Sequence, residues 1–252
     1  MPNYIYNVAP DKPDPRDHKY SLVHADEIST TFPKEMCLKH KIPYVFDQGQ
    51  LGSCTANALS LALDFERKFA GPYSRLQIYY NERALEGTVA QDDGAQIRDG
   101  IKTLAQSGVA LETHWPYNIT RFTEQPPAEV IQEAAKNTIT QYTRLTSRTD
   151  FLSCLKAGRP FVLGFTVYES FESQDVATWG FLPMPKPGEN ILGGHAVTCI
   201  GHAMNVHGQD RYLIQNSWGD AWGDPLYKGC FWMPAKFMED PNLVSDCWSI
   251  TS

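Results

Sequence analysis

The chain is 252 residues long, with 42% hydrophobic residues, 20% charged residues and a formal net charge of −7. That length predicts one large domain or two small ones around a real core. The acidic balance argues against a nucleic-acid partner, and no apolar run approaches the ~20 residues that a membrane span needs.

The first ten residues, Met-Pro-Asn-Tyr-Ile-Tyr-Asn-Val-Ala-Pro, contain no basic start and no apolar h-region. No classical signal peptide is therefore expected. Residues 1–30 are polar and irregular, and Asp11-Lys12-Pro13-Asp14-Pro15-Arg16-Asp17 cannot form a helix or a central strand. This stretch reads as an arm. The six cysteines, Cys37, Cys54, Cys154, Cys199, Cys230 and Cys247, are scattered singly. Without a CxxC pair or a Cys/His cluster, no zinc site is expected. Free thiols and a reducing compartment are.

After the arm comes Asp47-Gln48-Gly49-Gln50-Leu51-Gly52-Ser53-Cys54, followed by a helical stretch from Thr55 to Phe69. Leu59, Leu61, Leu63, Phe65 and Phe69 spread over several faces, which predicts a helix inside the protein. Gly71-Pro72 ends it. Ser53 is the expected N-cap, which places Cys54 in the first turn. There the free N–H groups and the positive dipole end favour a thiolate. A buried structural cysteine is the alternative outcome at this point.

A shorter helix is expected near Arg75–Leu85, and Ile97, Ile101 and Leu104 recur at helical spacing before Gly108. Pro126-Pro127 opens a helix over about Ala128–Asn137. The pattern then changes. Thr138–Leu145 reads as a strand, Asp150–Ala157 as a short helix capped by Thr149, and Pro160–Val167 as a buried strand. Pro183–Gly188 is a proline-rich loop. His195–Gly201 and Arg211–Asn216 read as two strands, and Phe231-Trp232-Met233 as another. The first half is mainly helical and the second mainly β, so an α+β arrangement in two lobes is expected.

Cys54 needs a base. His195 lies 141 residues downstream in Gly193-Gly194-His195-Ala196-Val197, with apolar flanks that none of the other six histidines shares. Asn216 follows in Asn216-Ser217-Trp218-Gly219, where an amide can orient an imidazole and a tryptophan can shield the contact.

With these residues in view, the chain resembles the papain-like, cathepsin-like cysteine proteases. The resemblance rests on Gln48 to Cys54, on Gly194-His195-Ala196-Val197, and on Asn216-Ser217-Trp218-Gly219-Asp220-Ala221-Trp222-Gly223. Weaker similarity spans about residues 40–247, including Asp92-Asp93-Gly94-Ala95-Gln96 and Trp115-Pro116-Tyr117. His195 falls within the roughly 130–150 residues expected beyond the nucleophile, and Asn216, at 162, lies slightly past it. Leu51 stands where secreted members carry a disulfide-bonded cysteine, Thr55 replaces a tryptophan and Asp93 a glycine. The long pro-domain usual in the family is not expected among these 252 residues.

The resemblance implies a papain-like two-lobe fold. A helical lobe would span about 40–137 and an antiparallel β-barrel-like lobe about 138–252, with the active site in the cleft between. It implies a cysteine-type peptidase with Cys54 as nucleophile, His195 as its base and Asn216 holding the His195 tautomer. The Gln48 amide would form the oxyanion hole. Trp218, Gly94, Asp93, Ala95 and Gly194 would meet a peptide or protein substrate. Ala95 and Gly194, both small, imply a roomy pocket for the second residue before the cut. No metal or cofactor is implied. A monomer in a cytoplasmic or otherwise non-secretory setting is expected. A Cys/His acyltransferase and a non-catalytic papain-like binding protein are the alternatives.

The arm, residues 1–30, then reads as a short prosegment. Thirty extended residues reach up to ~100 Å at ~3.3 Å each, enough to cross the cleft. Tyr4, Ile5, Tyr6 and Val8 are apolar anchors that a free tail would not need. The arm is expected either to cover the cleft or to clamp the lobes together.

Overall fold

A computed structural model describes residues 4–252. The chain opens with the arm, which contains a single helical turn, α1 (Tyr20–Val23), and then a short strand, β1 (Glu35–Cys37). The helical half follows as α2 (Cys54–Glu66), α3 (Arg75–Glu86), α4 (Ile97–Gln106) and α5 (Ala128–Ala134). The second half alternates β2 (Gln141–Arg144), α6 (Arg148–Lys156), β3 (Phe161–Tyr168), α7 (Gln174–Trp179), β4 (Ile191–Val206), β5 (Gln209–Gln215), β6 (Cys230–Pro234), α8 (Ala235–Met238) and β7 (Val244–Thr251).

Helix α2 is buried on every face from Cys54 to Asp64, as its all-round apolar composition requires. Its Leu59 packs against α4 at Gly100, where an added Cβ would lie 2.4 Å from the Leu59 Cδ1. Alanine in place of Gly100 would therefore force the Leu59 and Glu82 side chains to shift. On its other flank α2 lies against β4, and the Thr198 hydroxyl donates to the Ala58 carbonyl at 3.3 Å.

The strands form one antiparallel sheet in the order β2-β7-β3-β4-β5-β6, with β1 added to β4. The α+β, two-lobed arrangement is the one expected. The boundary between lobes is not a single cut. The chain enters the sheet at β1 before building the helices, and Trp248 and Ile250 of β7 pack into the helical core beside Leu59 and Ile101.

Two helix caps differ from expectation. Helix α6 is capped by Ser147, whose hydroxyl accepts from the Asp150 N–H at 3.1 Å, and not by Thr149, which lies inside the helix. Ser53 precedes α2, but its hydroxyl shares a 2.6 Å hydrogen bond with Tyr117 instead of capping the helix.

Candidate active site

The loop before α2 is built around Arg75. Its guanidinium grips Glu112 with two bonds of 2.9 and 2.7 Å and donates to the Asn57 amide oxygen at 3.0 Å and the Asp47 carbonyl at 3.1 Å. It lies between the rings of Phe46 and Tyr117, 4.3 and 3.8 Å from their centroids. The Tyr117 hydroxyl donates to the Gln48 carbonyl at 2.9 Å. This charged, planar contact fixes residues 47–53 from below and sets where Gln48 and Cys54 stand.

Cys54 begins α2 and is 1% exposed. Burial pushes its thiol up to about 12 and the Glu82 carboxyl adds to this, against the pull of the Ala196, Thr55 and Cys54 backbone amides. Burial therefore opposes the thiolate that the helix N-terminus favours. The amide of Ala196 at the sulfur places Cys54 beside His195, across the junction of α2 and β4.

His195 is wholly buried, and burial lowers its imidazole to about 4, although the Asn216 hydrogen bond favours the charged form. Its Nε2 lies 2.8 Å from Asn216 Oδ1. That oxygen also accepts the Ser217 backbone N–H at 2.9 Å, which fixes which end of the amide faces the ring. An amide oxygen only accepts, so Nε2 carries the hydrogen and Nδ1 keeps its lone pair. Nδ1 has no hydrogen-bond partner among the described residues. Trp218 covers the pair, its ring centroid 5.3 Å from that of His195.

Gln48 is 1% exposed. Its Nε2 donates to the Leu51 carbonyl at 3.0 Å, leaving one N–H of the amide for another acceptor. Its Oε1 accepts from the Ser217 hydroxyl at 2.6 Å, and its backbone N–H donates to the Ser217 carbonyl at 2.9 Å. Sequence reasoning gave Ser217 no role, and its position between Asn216 and Trp218 was the available signal. The hydroxyl dictates that Gln48 presents its NH2 group and not its oxygen. Should the Gln48 amide receive an oxyanion, Ser217→Ala would lower kcat about tenfold with KM little changed, a fraction of the roughly 10²–10³ attached to losing an oxyanion donor outright. Steady-state kinetics check this, and Ser217→Thr should restore the rate. Equal losses in both variants would mean that Ser217 only packs.

The cleft is occupied by the arm. Tyr4 stacks flat on Trp218, with ring centroids 3.6 Å apart and an interplanar angle of 4°. Tyr6 stands edge-on to His195 at 5.8 Å, and its hydroxyl donates to Glu172 at 2.7 Å. Asn7 pairs with Gly194 as a one-residue bridge, with Val8 N–H to Gly194 O at 3.2 Å and Gly194 N–H to Tyr6 O at 3.3 Å. A Cβ at Gly194 would come within 2.2 Å of the Val8 carbonyl oxygen, and one at Gly94 within 2.6 Å of the Asn7 carbonyl oxygen. Both glycines permit an extended chain to lie against the backbone, and at Gly94 the φ of +73° adds a second reason.

The other expected substrate contacts divide. Gly194 lines a cavity of about 360 Å³ together with Val8, Gly164, Phe165 and Ser245 of the surrounding chain. Ala95 is buried but does not line that cavity, and Asp93 is exposed. Asp92 takes the structural role instead, accepting the Gly52 N–H at 3.0 Å and offering its carbonyl to the Asn7 amide at 3.3 Å.

Beyond the cleft the arm is anchored by buried charge. Asp11 accepts from Arg144 at 3.0 Å and from the Trp248 indole at 3.1 Å, and its backbone N–H donates to Asp246 at 2.9 Å. Asp17 bridges Arg98 at 2.5 Å and Arg144 at 2.9 Å. All six cysteines are free, five of them buried.

The model of a family described as papain family cysteine protease matches residues 33–238. A peptidase C1-like protein of Acanthamoeba polyphaga mimivirus is 44% identical over 219 residues, covering 81% of this chain and 68% of that protein. A cathepsin B-like protein of Giardia intestinalis is 26% identical over 202 residues, 75% of this chain and 64% of its own length. Among solved structures, xylellain, a cysteine protease from Xylella fastidiosa, superposes with a TM-score of 0.88 at 36% identity, covering 98% of this chain and 96% of that one. A procathepsin L of Tenebrio molitor, at 16% identity and a TM-score of 0.66, shares the fold.

Proposed function

The chain belongs to the papain family of cysteine proteases, and from that premise we propose that Cys54, His195, Asn216 and Gln48 carry out peptide hydrolysis. The observation that supports this most directly is the His195–Asn216 bond of 2.8 Å, which leaves Nδ1 as a free base in the same buried site as Cys54. In this reading Nδ1 takes the thiol proton and the thiolate attacks the scissile carbonyl carbon. The remaining N–H of the Gln48 amide and the Cys54 backbone N–H receive the oxyanion. The imidazolium then protonates the leaving amine. Water attacks the thioester, the thiol leaves and the carboxylic acid is released. Gly94 and Gly194 offer backbone hydrogen bonds to the extended substrate, and Trp218 keeps water from the His195–Asn216 bond.

Residues 4–8 are a built-in cover. Tyr4 and Tyr6 lie over Trp218 and His195, and the burial they contribute holds both reacting groups neutral. The peptidase would then be latent until the cover moves. The six free thiols fit a reducing, non-secretory setting.

The test pairs labelling with turnover. The chain is incubated with a thiol-directed peptidyl epoxide and with a peptide library, and both are read by mass spectrometry. Labelling at Cys54 and cleavage of peptides are expected, and both should vanish in Cys54→Ala with its melting temperature retained. Persistent cleavage by the purified Cys54→Ala chain would remove the assignment. Incorporation of an added amine in preference to water would favour acyl transfer.

A further inference from the structure

Glu172 ends a 3-10 turn over Glu169–Glu172 that follows β3, and the adjacent Phe171 is buried against Trp218, Trp222 and Phe231. That packing fixes the turn relative to the His195 site. The Glu172 carboxylate itself makes no ion pair among the described residues, and its hydrogen bond is to the Tyr6 hydroxyl of the arm. Tyr6 thus fills a slot walled by His195 and Trp218, with a carboxylate facing its tip. Asp47 and Glu172 both bear on the neighbouring Tyr4, which lies on the Trp218 face. The slot is therefore aromatic on its wall and acidic at its far end.

We propose that Glu172 is a specificity-determining residue, selecting substrates that place a lysine or arginine side chain in the slot Tyr6 now fills. A competing substrate must displace a segment tethered to the same chain, so it needs a better contact than a neutral phenol makes. A cationic donor to a carboxylate is roughly twice as strong as a neutral one, and an aromatic wall adds a cation–π term. A lysine or arginine meets both features, whereas an acidic side chain would meet Glu172 with like charge.

The inference rests on Cys54 and His195 being the reacting pair, so its test has one readout that needs no hydrolysis. The full chain carrying Tyr4→Ala and Tyr6→Ala serves as parent, with Glu172→Gln and Glu172→Lys built on it. Synthetic peptides of residues 1–10 with Tyr6, Tyr6→Arg, Tyr6→Phe and Tyr6→Glu are titrated onto each by calorimetry. In the parent, the arginine peptide should bind about tenfold tighter than the phenylalanine peptide. That preference should disappear in Glu172→Gln, and Glu172→Lys should prefer the glutamate peptide. In parallel, cleavage of a peptide library should show Lys and Arg enriched at one position in the parent and not in Glu172→Gln. Equal affinities across peptides, or enrichment that survives both substitutions, would overturn the role of Glu172 while leaving the peptidase intact. A binding preference without any cleavage would sustain Glu172 and sink the catalytic reading instead.

Discussion

A full-length chain carrying Tyr4→Ala and Tyr6→Ala should alkylate at Cys54 about 10²-fold faster than the unaltered chain at pH 7. With its thiol held up at about 12 by burial, roughly one Cys54 in 10⁵ is a thiolate at neutral pH. Hydrating the site removes the largest cause of that shift and of the lowered His195 at once. The two groups then settle toward the thiolate–imidazolium pair, with a thiol in the roughly 3.5–7.5 range seen beside a charged histidine. The gain in thiolate, up to about 10⁵, is offset in part, because nucleophilicity falls with pKa at a Brønsted slope of about 0.4–0.5, which leaves about 10². The pH profile gives the sign. Alkylation of the covered chain should climb only toward pH 12, and that of the uncovered chain should already be fast below neutrality. Iodoacetamide kinetics with peptide mapping measure both, and Cys54→Ala identifies the reacting thiol among the six. An unchanged rate and profile would mean that the tyrosines do not keep Cys54 neutral.

The parts legible in the sequence were those set by local chemistry. Helix α2 could be read from its own composition, and Cys54, His195 and Asn216 could be singled out from their local settings, whereas Gln48 and the glycines at the cleft were reached only through the family resemblance. What escaped reading depends on partners far away in the chain. Ser53 looks like a cap until Tyr117, 64 residues on, takes its hydroxyl. Strand β7 carries no clean alternation because both of its faces are buried, Val244 and Cys247 in one core and Trp248 and Ile250 in the other. The Cys54 thiol shows how competing magnitudes decide. A helix N-terminus supplies at most about 2 kcal/mol, whereas lifting a thiol from 9 to about 12 corresponds to roughly 4 kcal/mol of burial cost. Burial wins, and the burial is provided in part by an arm whose path no local pattern encodes.

Cover and clamp were alternatives for that arm, and we propose that they fall to different residues of it. The cover is residues 4–8. The clamp lies further on, in the Asp11 and Asp17 ion pairs to Arg98 and Arg144 and in Tyr20. Tyr20 is wholly buried in the same core as Phe161 and Leu163 of β3, stacks on His24 at 4.5 Å, and donates its hydroxyl to Glu27 at 2.6 Å. Glu27 in turn holds Arg159 at 2.6 Å. Tyr20→Ala would open a cavity beneath the sheet and leave Glu27 short of a donor. Large-to-small changes of this kind cost about 3–5 kcal/mol, and a chain of this size loses about 2–4 °C per kcal/mol. The melting temperature should therefore fall by roughly 6–20 °C. Tyr4→Ala with Tyr6→Ala, on the half-buried face of the cleft, should change it by only a few degrees while freeing Cys54. Deleting residues 1–30 removes both devices together, so it should both expose the thiol and lower the melting temperature. Calorimetry on the three chains, read beside the alkylation rates, separates the two roles. If Tyr20→Ala melts with the parent, the clamp is not where the buried contacts place it. If Tyr20→Ala frees Cys54 as fully as the paired tyrosine substitutions do, cover and clamp are one cooperative unit.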